Sequence, residues 1–165
     1  QTPDPVPTLH PKRESLQRVW GKAVYPMAAQ RGIKVRLPPV QPRSRLAHEA
    51  VAFARLHNKD MELHHATFRA FFEFGEDIGK PDVLVRLALK LGLEEPALRK
   101  ALAEGGFRDE VLLDEALSQK LEITGVPATL IRPHGDPIET AARVKGAQPY
   151  ETFRTKVESC LNNPN

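Results

Sequence analysis

Residues 124–131 read TGVPATLI, in which a Gly-Val-Pro turn comes directly before a short run of β-type residues. The run is closed by HGDP (134–137), where glycine and proline predict a turn. IETAARVKG (138–146) is a second candidate strand, and a last helix is expected from about Pro149. The sequence therefore predicts a strand, a turn, a second strand and a helix, in that order.

The chain before this hairpin carries helix patterns. From Lys12 to about Glu122, apolar residues recur at helical spacing in successive segments separated by proline and glycine. Pro26 is expected to kink or end the first helix, and Ser44 to cap the second. Side chains expected to face inward form stripes along two helices: Leu84, Leu87, Ala88 and Leu91; Phe153 and Val157. A helix that begins near Asp60 carries Met61, His65, Phe68 and Phe72.

A hairpin and one helix are marginal by themselves, because a stable sheet needs more strands or a covering layer. We therefore expect half of a sheet, completed by residues absent here or by another chain. The predicted domains are an extended proline-rich arm (1–10), a helical domain (11–122) and a hairpin-and-helix unit (123–165).

Composition excludes several classes of protein. The 165 residues hold one cysteine, Cys160, so no internal disulfide forms. No apolar run approaches the roughly 20 residues of a membrane span, and the start lacks the pattern of a signal peptide. Residues 1–59 carry an excess of basic side chains, which is typical either of a nucleic-acid-binding surface or of a solvated helix face. Because aromatic residues are not interleaved with these basic residues, we favour the solvated face. We expect no nucleic acid and no membrane partner.

Three motifs together resemble the DsbA family. They are the loop TGVP (124–127) with GAQP (146–149), the helix start PRSRLAH (42–48), and LHHATFRAFFEFGEDIG (63–79). The last two are similar to the FrnE-like branch, which has a large helical insertion. The resemblance implies an α+β, thioredoxin-like fold: a mostly helical insertion domain followed by the C-terminal β-hairpin and helix of a thioredoxin-like half-domain. It also implies a protein disulfide oxidoreductase.

The family's redox C-x-x-C does not occur in these residues. By the resemblance it is expected in a missing N-terminal strand–helix–strand segment, so no catalytic residue is assigned in this chain, which is expected to be inactive alone. Cys160 lies late in the last helix, where the negative end of the helix dipole disfavours a thiolate, so we expect an inert side chain.

Two other functions remain open. A glutathione-dependent isomerase or kappa-type transferase shares the insertion and the Val-Pro loop, and would use glutathione; otherwise no cofactor is expected. A non-catalytic peptide- or protein-binding module is the third interpretation.

The resemblance places substrate binding at Thr124, Gly125, Val126 and Pro127. A cis bond before Pro127 would turn the Val126 backbone toward an extended substrate, as an added strand. By residues alone, a trans bond that only shapes the start of a strand is favoured; with the resemblance, we favour cis. The expected partner is a thiol- or disulfide-containing protein or peptide.

Histidine and phenylalanine residues suggest further sites. His48 lies inside the helix start that is similar to the FrnE-like branch. We expect it to pack between helices, or to contact the residues that bind substrate, rather than to touch substrate itself. The other histidines lack ligand spacing, so no metal is expected. Surplus phenylalanine at 68–74 is expected to pack against the missing half-domain, or to line a peptide groove.

Location and assembly are also predicted. A single cysteine and no signal fit the cytoplasm. An open strand edge at 128–131 predicts self-association or capture of a strand in trans.

Overall fold

The structure is a computed structural model and describes residues 13–162. The proline-rich arm predicted at 1–10 lies outside these residues. The described chain is mostly helical and ends in a two-stranded antiparallel sheet and a helix, which confirms the predicted fold class. It divides into two compact units between Leu112 and Leu113. The domain boundary predicted at 122/123 stays a prediction.

The first unit is built from helices. They are α1 (Arg13–Val19), a π-helical turn (Trp20–Val24), α2 (Tyr25–Gln30), α3 (Arg45–Arg55), α4 (Asp60–Phe72), α5 (Pro81–Leu89), α6 (Glu95–Glu104) and the start of α7 (Arg108–Lys120). No helix within the described residues is both long and apolar enough to cross a membrane.

The second unit holds the rest of α7, the hairpin and the last helix. Its elements after α7 are β1 (Ala128–Ile131), a 3-10 turn (Ile138–Thr140), β2 (Ala142–Lys145) and α8 (Tyr150–Asn162). In the hairpin, Ala128 lies opposite Lys145 and Leu130 opposite Arg143. α8 contacts both strands.

The core of the first unit lies among α3, α4, α5 and α6. Small alanines at 50 and 54 let α3 approach its neighbours, and Leu63, Leu84 and Leu98 are fully buried. Thr67 is buried with its hydroxyl donating to the Leu63 carbonyl at 2.8 Å, which satisfies it inside the core. Glu49 is also buried, a position that helical periodicity would not assign to a carboxylate.

Proline and glycine end the helices where the sequence predicts. Pro81 opens α5 after a turn in which the Gly79 N–H donates to Asp77 Oδ1 at 3.0 Å. Gly105 caps α6 in the left-handed region, with φ of 66°. Ser44 is the N-cap residue of α3, but its hydroxyl makes no capping bond.

Pro26 does not end its helix, since helical structure continues to Gln30. A π-helical turn precedes the proline, and in it the Tyr25 N–H donates to the Trp20 carbonyl, five residues back. Pro26 then falls in the first turn of α2, where a missing N–H costs little.

The apolar residues at helical spacing in α4 do not mark its buried face. Met61, His65 and Phe68 are exposed, and the buried residues are Leu63, Thr67 and Ala70. Apolar residues lie on both sides of this helix, so its periodicity does not select one face. Packing against α3 and α5 makes the selection.

The second unit also differs from expectation. The second strand begins only at Ala142, because residues 138–140 form the 3-10 turn. Val157, predicted to face inward, is exposed, and Phe153 is half-buried. Among the described residues, β1 pairs with β2 alone, so the hairpin is not covered by a third strand.

Candidate functional site

The loop between α7 and β1 starts from a tight helix end. The Glu122 N–H donates to the Gln119 carbonyl and the Ile123 N–H to the Ser118 carbonyl, both at 2.9 Å. Glu122 has φ of 53°, a left-handed conformation that usually favours glycine. Leu121 is buried beside it. This end of α7 therefore directs the chain outward into the loop.

The loop Thr124–Pro127 is exposed at every position. The peptide bond between Val126 and Pro127 is cis. The Pro127 carbonyl accepts the Gly146 N–H at 2.8 Å, which extends the hairpin ladder by one pair beyond Ala128 and Lys145. The loop is thus held against β2 through its last residue.

Val126 is the most exposed point of this loop. Its surface is 92% exposed, although valine is an apolar residue. Within residues 13–162, neither its N–H nor its C=O has a hydrogen-bond partner. An extended peptide can therefore pair with this backbone without displacing a bond of the protein.

A cleft of about 190 Å³ runs beside the loop. This volume is smaller than the roughly 300–1,000 Å³ of drug-sized ligand sites, so the cleft suits a few atoms of a larger partner that extends beyond it. All of the predicted binding residues line it together: Thr124, Gly125, Val126 and Pro127. Their binding role stays a prediction.

Arg143 and Lys145 also line the cleft, and sequence reasoning missed them. The signal was present in β2, where they alternate with buried Val144 and therefore point to the opposite face of the hairpin. Only the register of the hairpin brings them to the Thr124–Pro127 loop, because it sets Lys145 opposite Ala128.

An ion pair in the second unit joins α7 to the 3-10 turn. Lys120 Nζ lies 2.7 Å from Glu139 Oε1. This hydrogen bond, together with the backbone donor at Glu139 and the lysine charge, lowers the pKa of the Glu139 carboxyl below its usual value. The pair holds the 3-10 turn to the end of α7.

The family profile described as DSBA-like thioredoxin domain matches residues 12–158 of this sequence. The chain belongs to this family. Membership confirms the family that the loop and helix motifs resemble, and the family is of the disulfide-oxidoreductase type.

Relatives of this DSBA-like chain agree with the match. The DSBA-like chain is 33% identical over 135 residues to YwbO of Bacillus subtilis (strain 168), which is named as an uncharacterized protein. The alignment covers 78% of this chain and 66% of YwbO. Its fold is similar to a probable DsbA oxidoreductase from Streptomyces coelicolor, with a TM-score of 0.78 and 25% identity over 93% of this chain and 64% of that one.

A second solved structure shows the same fold. It is a putative protein disulfide isomerase from Nitrosomonas europaea, with a TM-score of 0.74 and 18% identity over 98% of this chain and 79% of that one. The DSBA-like chain spans just under two thirds of the lengths of YwbO and of the Streptomyces protein.

His48 lies in the first turn of α3, where it is exposed. It belongs to the first unit, and the Thr124–Pro127 loop belongs to the second. Its predicted supporting role at the site stays a prediction.

Cys160 is half-buried in α8. Its Sγ lies 3.6 Å from the Ile131 carbonyl, a weak hydrogen bond to the end of β1. As the sequence holds no other cysteine, this thiol cannot form a disulfide within the chain. Its contact with the hairpin is a packing contact.

Residues 13–162 contain no group of three or more histidine, cysteine or acidic side chains placed to share a metal ion.

Phe68 and Phe74 are exposed, and Phe71 and Phe72 are half-buried. Phe68 stacks between His64 and Phe72, with ring centroids 4.6 and 5.7 Å away.

Proposed function

We propose that this chain supplies the substrate-binding loop of a thiol–disulfide oxidoreductase of the FrnE-like branch. The observation that carries the proposal is the backbone N–H and C=O of Val126, which are unpaired and exposed beside the cleft. A backbone donor and acceptor in this position can accept an added strand. The family match supports a disulfide partner for that strand.

At the loop, the substrate segment lies extended beside Val126. The Val126 N–H donates to a substrate carbonyl, and the Val126 carbonyl accepts a substrate N–H. Main-chain pairing of this kind binds many sequences, since every peptide carries the same groups. Gly125 leaves room for the substrate chain, because, apart from its two chain neighbours, no residue has an atom within 4 Å of the place where a side-chain methyl group would stand.

The redox step needs a C-x-x-C dithiol that these 165 residues do not contain. In the oxidising direction, a substrate thiolate attacks the C-x-x-C disulfide, forming a mixed disulfide and releasing one enzyme thiolate. The second substrate thiolate then attacks the mixed disulfide. The substrate loses two electrons and two protons, and the C-x-x-C pair takes them up.

Intact mass after reduction and thiol alkylation tests where the dithiol lies. We expect the natural protein to exceed 18.4 kDa by at least about thirty residues, the size of a strand–helix–strand unit, and to carry three alkylated cysteines. A natural protein of 18.4 kDa with one alkylated cysteine would overturn the redox proposal.

Strand pairing at Val126 is tested with matched ligands. One is a short peptide with an S-blocked cysteine, and the other is the same peptide N-methylated at the cysteine and at both neighbouring residues. We expect N-methylation to weaken binding about fivefold, because it removes the substrate N–H that the Val126 carbonyl accepts, and a lost hydrogen bond costs about 1 kcal/mol. Equal binding of the two peptides, by fluorescence anisotropy, would contradict the proposal.

Gly125→Ala tests the same cleft from the protein side. Its methyl group meets no atom within 4 Å, so the fold should be unchanged, while the methyl group occupies the cleft and weakens peptide binding. Gly21→Ala is the matched control, because its methyl group is equally free of contacts and Gly21 lies in the first unit. Peptide affinity should fall in G125A alone.

A non-catalytic binding module is the second candidate. The observation in its favour is Cys160, the single cysteine, which packs against the hairpin. This function needs only the loop and the open edge of β1, which also accounts for the proposed strand capture or self-association. Sedimentation at high concentration tests the edge: a monomer that binds no peptide would contradict it.

A cytoplasmic location is part of the redox proposal. It is supported by the single cysteine, since a chain without internal disulfides is stable in a reducing compartment. Cell fractionation tests it.

A further inference from the structure

Arg143 and Lys145 form a cationic wall along the Thr124–Pro127 loop. They lie two residues apart on β2, so both project from the hairpin face that carries Ala128 and Leu130. Residues so spaced on a strand are about 7 Å apart, which lets one carboxylate between them approach both. Both side chains are exposed, and both line the cleft.

These cations are not held by the protein's own anions. Within residues 13–162, neither Arg143 nor Lys145 makes an ion pair or a side-chain hydrogen bond. Lys120 and Arg154, in the same unit, are paired with Glu139, and with Glu151 and Glu158. Arg143 and Lys145 are therefore available to an anionic group that enters the cleft.

Glu122 is the acidic residue among those that line the cleft, and its charge opposes those of Arg143 and Lys145. With two cations against one carboxylate, the cleft is net positive, and the excess charge lies on the β2 side. A ligand carboxylate is attracted there. An added cation meets repulsion from two charges and attraction from one.

We propose that Arg143 and Lys145 select acidic peptide segments, binding a glutamate or aspartate side chain that flanks the cysteine of a substrate strand paired with Val126. This inference rests on the proposed function, since it uses the same bound strand. Backbone pairing at Val126 supplies affinity without sequence preference, and the cationic wall supplies the preference. The recognised class is thus an extended, acidic cysteine peptide.

The test uses peptide twins with an S-blocked cysteine, one with glutamate on either side of it and one with glutamine there. Wild-type protein should bind the glutamate peptide about two- to fivefold more tightly, the range for an exposed ion pair. The preference should vanish as ionic strength rises from about 0.01 M to about 1 M, where the Debye length falls from about 30 Å to about 3 Å.

Three double variants separate the effect of the cationic wall from that of net charge. R143Q/K145Q should bind both twins equally. R132Q/K156Q removes two exposed cations that do not line the cleft, so the preference should persist. R143K/K145R keeps both charges and should retain the preference. Circular dichroism melting curves check that each variant is folded.

The outcomes separate this inference from the proposed function. If the twins bind wild type equally while N-methylation still weakens binding, the acidic preference is wrong and the strand-binding loop stands. If N-methylation has no effect, both proposals fail. If S-methylglutathione binds more tightly than either twin and depends on Arg143 and Lys145, the wall serves glutathione carboxylates, and the peptide assignment is overturned.

Discussion

Leu63, Leu84 and Leu98 of the first unit have no exposed surface, whereas no residue of α8 in the second unit is buried. The first unit surrounds its apolar side chains with helices on several sides. The second unit has two strands and a helix, with Val144 as the one buried residue of its hairpin. This contrast indicates where binding can occur, because the unpaired Val126 backbone and the cationic wall both lie in the unit with little core.

Burial should make the same substitution costly in one unit and harmless in the other. Leu84→Ala removes a side chain with 0% exposure and should lower the free energy of unfolding by about 2–5 kcal/mol. Leu113→Ala, at 71% exposure on α7, should change it by less than about 0.5 kcal/mol. Urea denaturation measures both. Equal losses would mean that the two units do not differ in core packing.

Hydrogen exchange should show the difference without mutation. Amides of β1 and β2 are expected to exchange about a hundredfold faster than those of α5, since a small hairpin opens locally at lower cost than a buried helix. Mass spectrometry of peptic fragments resolves these segments. Matching protection would show that hairpin and helices open together in one cooperative step.

Two adjacent glycines test how strictly the first unit sets its helix ends. Gly105→Ala places a side chain at φ of 66° and within 3.1 Å of Arg108, and should cost about 1–2 kcal/mol. Gly106→Ala meets only ordinary contacts from 3.6 Å and should cost less than about 0.5 kcal/mol. Thermal unfolding compares them. A larger cost at Gly106 would exclude the left-handed cap as the cause.

Surface charge in the second unit should have the smallest effect. Because Lys120 lowers the pKa of Glu139, the ion pair stabilises the unit above the ordinary glutamate range. That stabilisation is lost as pH falls through the lowered pKa of the folded state. Titration of the Glu139 carboxyl by NMR should show the low pKa in wild type and a rise toward the ordinary value in Lys120→Met. An unchanged pKa in that variant would remove Lys120 as the cause.

Local signals predicted much of the fold. Helical segments separated by proline and glycine were predicted, and α5 begins at Pro81 and α6 ends at Gly105, as the backbone preferences of these residues favour. The strand at 128–131 and the loop before it were also predicted. At Pro26 the helix does not end, because a π-helical turn places the proline in the first turn of α2.

The sequence singled out four of the residues that line the cleft. Thr124 to Pro127 line one cleft together because they are consecutive in the chain. Arg143 and Lys145 were missed because they lie far along the chain, in a strand whose charged residues resemble an ordinary solvated face. His48 was singled out by motif, and the structure places it at an exposed position in the other unit.

By itself, the sequence determined the order of helices, strands and turns, the single cysteine, and the loop from Thr124 to Pro127. These follow from helical spacing and from the backbone preferences of proline and glycine, which act within a few residues. Tertiary structure alone decided which face of α4 is buried, that Glu49 lies inside the core, and that Arg143 and Lys145 stand beside the loop. Each of these depends on a partner distant in the chain, chosen by packing and strand register.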